Sequence, residues 1–371
     1  MTSRGMTIRK IDVLPLRVPY QHPVPAKADP AADAHRLVLL RVETADGVVG
    51  WGESLAHLPA LQRAMVALHE DAIAPAALGR DAGDIGALVH DIQMRLAFFG
   101  RGGLIMNALA ALDIALWDIA GRVSGQPLHR LLGGALKTEI PCIASMSSYL
   151  DQAAAAAGAQ EAVARGYRRI KLHERSLEIV QAVRRAVGPD IRLMVDVNCH
   201  WGLDHAIRIM PALLECDPYW LEDPIWPPEN FAGLRELKQR FGVRLAGGGD
   251  ASTVWRFREM LDQDVLAFAQ PDTCTVGGVT EFSRVATLCA LKGVTVAPHT
   301  PFLGPALLAS LHLISTLRDD SAYAYTFLDF AGSPYGAAGM PSQGVLKLPE
   351  GAGLGYEPDA GFLSEYRVVP R

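Results

Sequence analysis

A chain of 371 residues exceeds one ordinary domain, and its 50% hydrophobic and 20% charged residues are the balance of a globular protein of two or three domains. The net charge of −5 is mild and forms no charged tail, which points away from nucleic acid and from membrane surfaces as partners. No uninterrupted apolar run reaches the roughly 20 residues of a spanning helix, and Met1–Lys10 lacks the apolar core of a signal peptide. The five cysteines are odd in number, with no C-x-x-C pair, and so fit a reducing cytoplasm rather than a disulfide framework or zinc site.

Thr7–Val18 and Arg36–Thr44 read as strands from their β-branched content and alternation. Between them, Tyr20–Ala34 is a long loop rich in Pro, Ala and Asp, a length that signals function or disorder. Ala45-Asp-Gly47 turns the chain, Val48–Trp51 returns as a third strand, and Gly52–Pro59 reads as a second loop. A helical pattern runs from Leu61 to about Val89. Leu104–Val123 is a strongly apolar helix, interrupted by Asp113 and Asp118 and therefore unlike a membrane span.

From Ile140 the pattern becomes strand-then-helix. The expected strands are Ile140–Ala144, Arg169–His173, Ile191–Val197, Tyr219–Glu222, Val243–Gly247, Val265–Gln270, Val294–Pro298 and Ala324–Asp329. Eight such units predict an α/β barrel. The segment after Asp329 is rich in Gly and Pro and is expected to wrap back onto the first region.

Six strand ends carry loaded side chains: Lys171 with His173, Asp196 with Asn198, Glu222 with Asp223, Asp250, Asp272 and His299. Successive members are 22 to 28 residues apart, about one βα unit, so all six are expected at one rim. Alone, each residue is more often structural; in phase they read as a site. Asp196, Glu222 and Asp250 offer three hard oxygen donors, which suit Mg²⁺, or Mn²⁺, better than zinc. Lys171 beside them adds a cation, and together they would receive a carboxylate and stabilise a second negative charge on it. Removal of a proton α to a carboxylate needs that help, because such a carbon acid is many pK units weaker than any side-chain base. His299 is the expected base, with Asp272 on the neighbouring strand end to fix its tautomer. His173 shares a strand face with Lys171 and would approach from the other side.

These residues resemble the enolase superfamily, mandelate racemase subgroup. The marks are Gly50-Trp-Gly-Glu53, Ala108–Asp118, Leu193–Asn198, Trp220-Leu-Glu-Asp-Pro224, Gln270–Gly278 and Val296-Ala-Pro-His299, and they extend over nearly the whole chain. The resemblance implies a modified (β/α)₇β TIM-type barrel over 136–329. It also implies an α+β capping domain from residues 1–135 and the returning segment 330–371, whose loops Tyr20–Ala34 and Glu53–Pro59 close over the barrel. It implies a Mg²⁺-held enediolate, an acid-sugar or related carboxylate substrate, and assembly as a homo-oligomer.

Three positions depart from the family pattern. Its Lys-x-Lys is Lys171-Leu-His173 here. Its third metal ligand, a Glu after Gly-Gly, falls at Gly249 by spacing to Asp272, so Asp250 could coordinate only through a one-residue backbone shift. Its eighth-strand Glu is replaced by Thr326. The resulting expectation is an acid-sugar dehydratase. A racemase, epimerase or lactone cycloisomerase is the alternative, and a barrel that binds carboxylates but has lost catalysis is a third. Tyr20, Lys27 and His57 on the loops, with Asn198 and Thr326, are the candidate substrate contacts; solvated surface is the plainer reading of the loop residues.

Overall fold

Three antiparallel strands open the chain, β1 (Ile8–Pro19), β2 (Ala34–Thr44) and β3 (Val49–Leu55), paired in that order. The structure is a computed structural model, and it describes residues 3–21, 33–149, 151–318 and 320–368. Strand β3 runs past Trp51, contrary to the loop expected there, and pairs with β2 as far as Leu37↔Leu55. Glycine explains the difference. A Cβ on Gly52 would come within 1.8 Å of the Ala111 carbonyl oxygen, and one on Gly50 within 2.2 Å of that of Ala115. Their bare backbones let a helix lie directly on the strand.

The expected helix from Leu61 to Val89 is divided. α1 (Pro59–Leu68) and α2 (Ile85–Leu96) are separate, and Gly79, at φ 79°, helps to turn the chain between them. α3 (Gly103–Ser124) is the helix on β3. It is long and apolar enough to cross a membrane by length and composition, but 72% of its most apolar stretch is buried inside the protein. Its two aspartates are docking points. Asp118 accepts the Trp51 N–H at 3.0 Å, the Leu354 N–H at 2.8 Å and Arg122 Nε at 2.9 Å, and Asp113 accepts the Thr280 N–H at 3.1 Å.

Eight parallel strands follow: β4 (Glu139–Met146), β5 (Arg169–His173), β6 (Arg192–Asp196), β7 (Trp220–Glu222), β8 (Leu245–Gly247), β9 (Phe268–Ala269), β10 (Thr295–Val296) and β11 (Tyr323–Thr326). They lie in the order β10-β9-β8-β7-β6-β5-β4-β11. Seven helices connect them: α4 (Gln152–Ala164), α5 (Leu177–Val187), α6 (Leu203–Leu214), α7 (Phe231–Phe241), α8 (Thr253–Asp262), α9 (Gly278–Lys292) and α10 (Pro305–Ser315). Between β10 and β11 side chains bridge the seam. The Ala324 N–H donates to Thr300 Oγ1 at 2.8 Å, and Ser321 Oγ donates to the Val296 carbonyl. The result is a modified (β/α)₇β barrel. Strand alternation sorts its residues: Ile143, Met194, Trp220, Ala246, Phe268 and Ala297 share a small inner cluster, while Leu193, Val195, Leu221 and Leu245 join the large cluster under the helices.

The C-terminal segment divides its contacts. β12 (Val345–Lys347) pairs antiparallel with the start of β4, so this strand joins the barrel rather than the first region. α11 (Ala360–Tyr366) lies against the N-terminal sheet, with Phe362 buried among Leu14, Leu16 and Val18.

Glu53 ties the N-terminal sheet to the loop ahead of α10. Its Oε2 accepts the Gly304 N–H at 3.1 Å and the Ala306 N–H at 2.9 Å, as an acid does at a helix N-terminus. Burial pushes its carboxyl up to about 8, the N–H donors oppose this, and the charge of Asp272 adds to it. A carboxyl whose folded pKa is raised binds more protons folded than unfolded, so stability falls as pH climbs from about 4.5 to about 8. Glu53→Gln keeps an acceptor for both N–H groups and removes the titration. Its melting temperature is expected to fall less between pH 5 and pH 8.5 than that of the wild type. Parallel thermal profiles would contradict the assignment. A residual slope remains expected, because burial also raises Asp113, to about 7.

Candidate active site

The carboxyl ends of β5, β6 and β7 bring three charges together inside the barrel. His173 pairs with Asp196 across β5–β6, and Asp196 with Glu222 across β6–β7. Lys171 is 1% exposed, and its Nζ donates to Asp196 Oδ2 at 3.1 Å and to Glu222 Oε1 at 2.6 Å. His173 Nε2 lies 3.2 Å from the same Asp196 Oδ2. The Asn198 N–H donates to Asp196 Oδ1 and Trp220 Nε1 donates to Glu222 Oε2, both at 2.9 Å. Each of the four carboxylate oxygens therefore accepts from, or faces, a protein nitrogen. Burial works to raise the Asp196 carboxyl, yet the charges of Lys171 and His173 hold it well below the ordinary range. Burial and then the neighbouring Asp196 charge raise Glu222. Lys171 is held charged: burial opposes this, but the Glu222 and Asp196 carboxylates outweigh it.

His173 has both ring nitrogens engaged. Nδ1 meets the Met146 carbonyl and Nε2 meets Asp196. With both nitrogens against protein oxygens, the imidazole is held by the strand ends rather than turned toward a ligand.

On the other side of the ring, the ends of β9 and β10 present a dyad. Asp272 is fully buried, and its Oδ1 accepts the Cys274 and Thr275 N–H groups at 2.9 and 2.8 Å. That leaves Oδ2, which lies 2.7 Å from His299 Nδ1. Oδ2 is an acceptor, so Nδ1 carries the proton and Nε2 keeps its lone pair. The imidazole is 31% exposed, open enough to meet a ligand.

Asp250 does not join Asp196 and Glu222. Its side chain is exposed and lines a separate cavity of about 360 Å³ with Arg101, Asp223, Glu229 and Arg256. Among the described residues, no three His, Cys, Asp or Glu are arranged to hold a metal ion. The sheet explains why. Strand β8 is pinned on both sides, Glu222↔Ala246 and Gly247↔Ala269, which leaves no one-residue shift. A Cβ on Gly248 would meet Phe257 of α8, whereas one on Gly249 would meet His299 Cγ at 3.3 Å. Gly249, not Asp250, thus faces the dyad. The expected three-carboxylate cradle for Mg²⁺ or Mn²⁺ is not formed: two carboxylates are present, and an ammonium lies between them.

The remaining candidates separate. Tyr20, His57, His173, Asn198 and Thr326 share a cavity of about 430 Å³. Burial pushes the Tyr20 hydroxyl up to about 12. Lys27 lies outside the described residues. Ser145, Ser147 and Ser148 line the same cavity and were missed at the sequence level. Their signal was their place at and just after the first barrel strand, which carried no charged residue to draw notice. All five cysteines are free thiols.

Comparison with known proteins agrees with this architecture. Residues 10–133 match the mandelate racemase / muconate lactonizing enzyme N-terminal domain, and 154–361 match the enolase C-terminal domain-like family. D-galactarolactone cycloisomerase of Agrobacterium fabrum is 29% identical over 91% of this chain and 92% of that protein. D-gluconate dehydratase of Thermoproteus tenax is 30% identical over 90% of this chain and 70% of that protein. A crystal structure of a racemase from Streptomyces coelicolor with bound magnesium superposes with a TM-score of 0.84 at 26% identity, covering 97% of this chain and all 100% of that one. On the matches across both regions, the chain belongs to the mandelate racemase / muconate lactonizing enzyme family of the enolase superfamily.

Proposed function

We propose that this protein is an enzyme that removes the proton α to the carboxylate of a polyhydroxy acid and expels the β-hydroxyl, as an acid-sugar dehydratase. The observation that carries this reading is the His299–Asp272 dyad at 2.7 Å. His299 Nε2 takes the α-proton while Asp272 stabilises the imidazolium that forms. The same Nε2–H then protonates the departing hydroxide, the C–O bond breaks, and water leaves with an enol that becomes a 2-keto acid. One group thus serves as base and acid in turn. Positive charge near the developing enediolate falls to Lys171, and no step runs through a divalent ion, because the donor set does not fit one.

The cavity bordered by Ser145, Ser147, Ser148, Asn198 and Thr326 supports a hydroxyl-rich substrate, since each offers a neutral hydrogen-bonding group. His173, with both nitrogens occupied, favours chemistry on one face and counts against racemisation. Lactone cycloisomerisation also needs a single acid–base group, and the similarity to D-galactarolactone cycloisomerase keeps it as the second reading.

The test is a screen of acid sugars and their lactones in D₂O. A 2-keto acid formed from an open-chain acid with loss of water, trapped as its semicarbazone, supports dehydration. The same kind of carbonyl formed from a lactone as its ring-opened isomer, with no water lost or gained, supports cycloisomerisation. Solvent deuterium entering both epimers points to racemisation, and no exchange into any substrate leaves a carboxylate-binding barrel without catalysis.

A further inference from the structure

Family resemblance implies a divalent ion beside Asp196 and Glu222, and the residues of this chain argue against it. We infer that Lys171 is the resident cation of this site and that the resting protein holds no divalent ion there.

Three features lead to it, the last two of them at one residue. The first is occupancy. Lys171 Nζ bridges Asp196 Oδ2 and Glu222 Oε1, the two oxygens that face each other across β6 and β7. A Mg²⁺ bonding both would sit about 2.1 Å from each, in the space of the ammonium and repelled by it. The second is the loss of a ligand. Gly249 stands where the spacing places the family's third carboxylate, and Asp250 opens into a different cavity. The third is space. A Cβ at 249 would press on His299 Cγ at 3.3 Å, so the imidazole rests against bare backbone where a ligand's stem would lie. Glycine here both removes a donor and makes room for the base. Trp220 Nε1 and the Asn198 N–H hold the two outer oxygens at 2.9 Å, which keeps the pair turned toward Lys171.

The inference concerns the same site as the dehydratase reading but does not depend on it, and ion binding is read directly rather than through turnover. Mn²⁺ is titrated into the full-length protein and the free ion is followed by its electron paramagnetic resonance signal. The wild type is expected to show no saturable site up to millimolar ion. Gly249→Glu is expected to gain one site per chain, with an apparent affinity at least about 100-fold above the wild type. Lys171→Met uncovers both carboxylates without crowding His299, and it carries the test if Gly249→Glu does not fold; it is expected to bind Mn²⁺ where the wild type does not. Micromolar binding by the wild type, abolished in Asp196→Asn, would overturn the inference whatever the variants do. So would a Lys171→Met protein that is folded by circular dichroism and still binds no ion.

Discussion

His299→Asn is expected to slow α-proton exchange by about 10²–10⁴-fold, the range a positioned general base contributes. The substitution removes the lone pair at Nε2 and little else, because the imidazole is 31% exposed and its side chain pairs with Asp272. Asp272→Asn tests the other half of the dyad. Its Oδ1 can still accept the Cys274 and Thr275 N–H groups, so the loop keeps its anchor. Its amide would donate toward His299 Nδ1, forcing the proton to Nε2 and removing the base without removing the ring. Both variants are therefore expected to lose exchange while unfolding near the wild-type temperature. The measurement is the rate of deuterium entry at the α-carbon, followed by proton NMR on the acid sugar the wild type turns over. A His299→Asn protein within about threefold of the wild type would remove His299 from the chemistry.

How much of this was legible in advance follows from what each residue's signal was. Barrel strands announced themselves as short apolar runs, and their ends as charges one βα unit apart. Lys171, Asp196, Glu222, Asp272 and His299 could be read because periodicity alone places strand ends at one rim. Asp250 could not, because one residue of register decides whether a side chain faces inward or outward. Only the pairing of β8 with both neighbours settles that Gly249 takes the inner place. Glu53 was hidden for another reason. A glutamate flanked by Gly52 and Ser54 has the composition of a loop, and nothing local shows that α3 lies against those glycines. Long-range burial of that kind is written in two distant segments at once. The short strand β12 was hidden likewise, since its partner lies about 200 residues away at the start of β4.

Lys171→Met is expected to destabilise the barrel markedly while leaving it folded at 25 °C. It leaves Asp196 and Glu222, at 3% and 2% exposure, as two buried like charges without their shared cation. Removing one partner of a buried ion pair costs about 3–5 kcal/mol, which for a chain of this size lowers the melting temperature by roughly 10 °C. Isosteric loss of the surface pair Lys238–Asp264, whose aspartate side chain is 87% exposed, should by contrast stay within about 1 kcal/mol. The decisive variant is the double one. If the cost of Lys171→Met arises from uncompensated charge, adding Glu222→Gln must recover part of it, because one carboxylate is neutralised and the amide oxygen can still accept from Trp220 Nε1. If the cost arises from lost packing of the lysine stem, the two changes add. Thermal unfolding of the four proteins separates these outcomes, and simple additivity would mean that the ammonium fills space at the strand ends without holding the two carboxylates together.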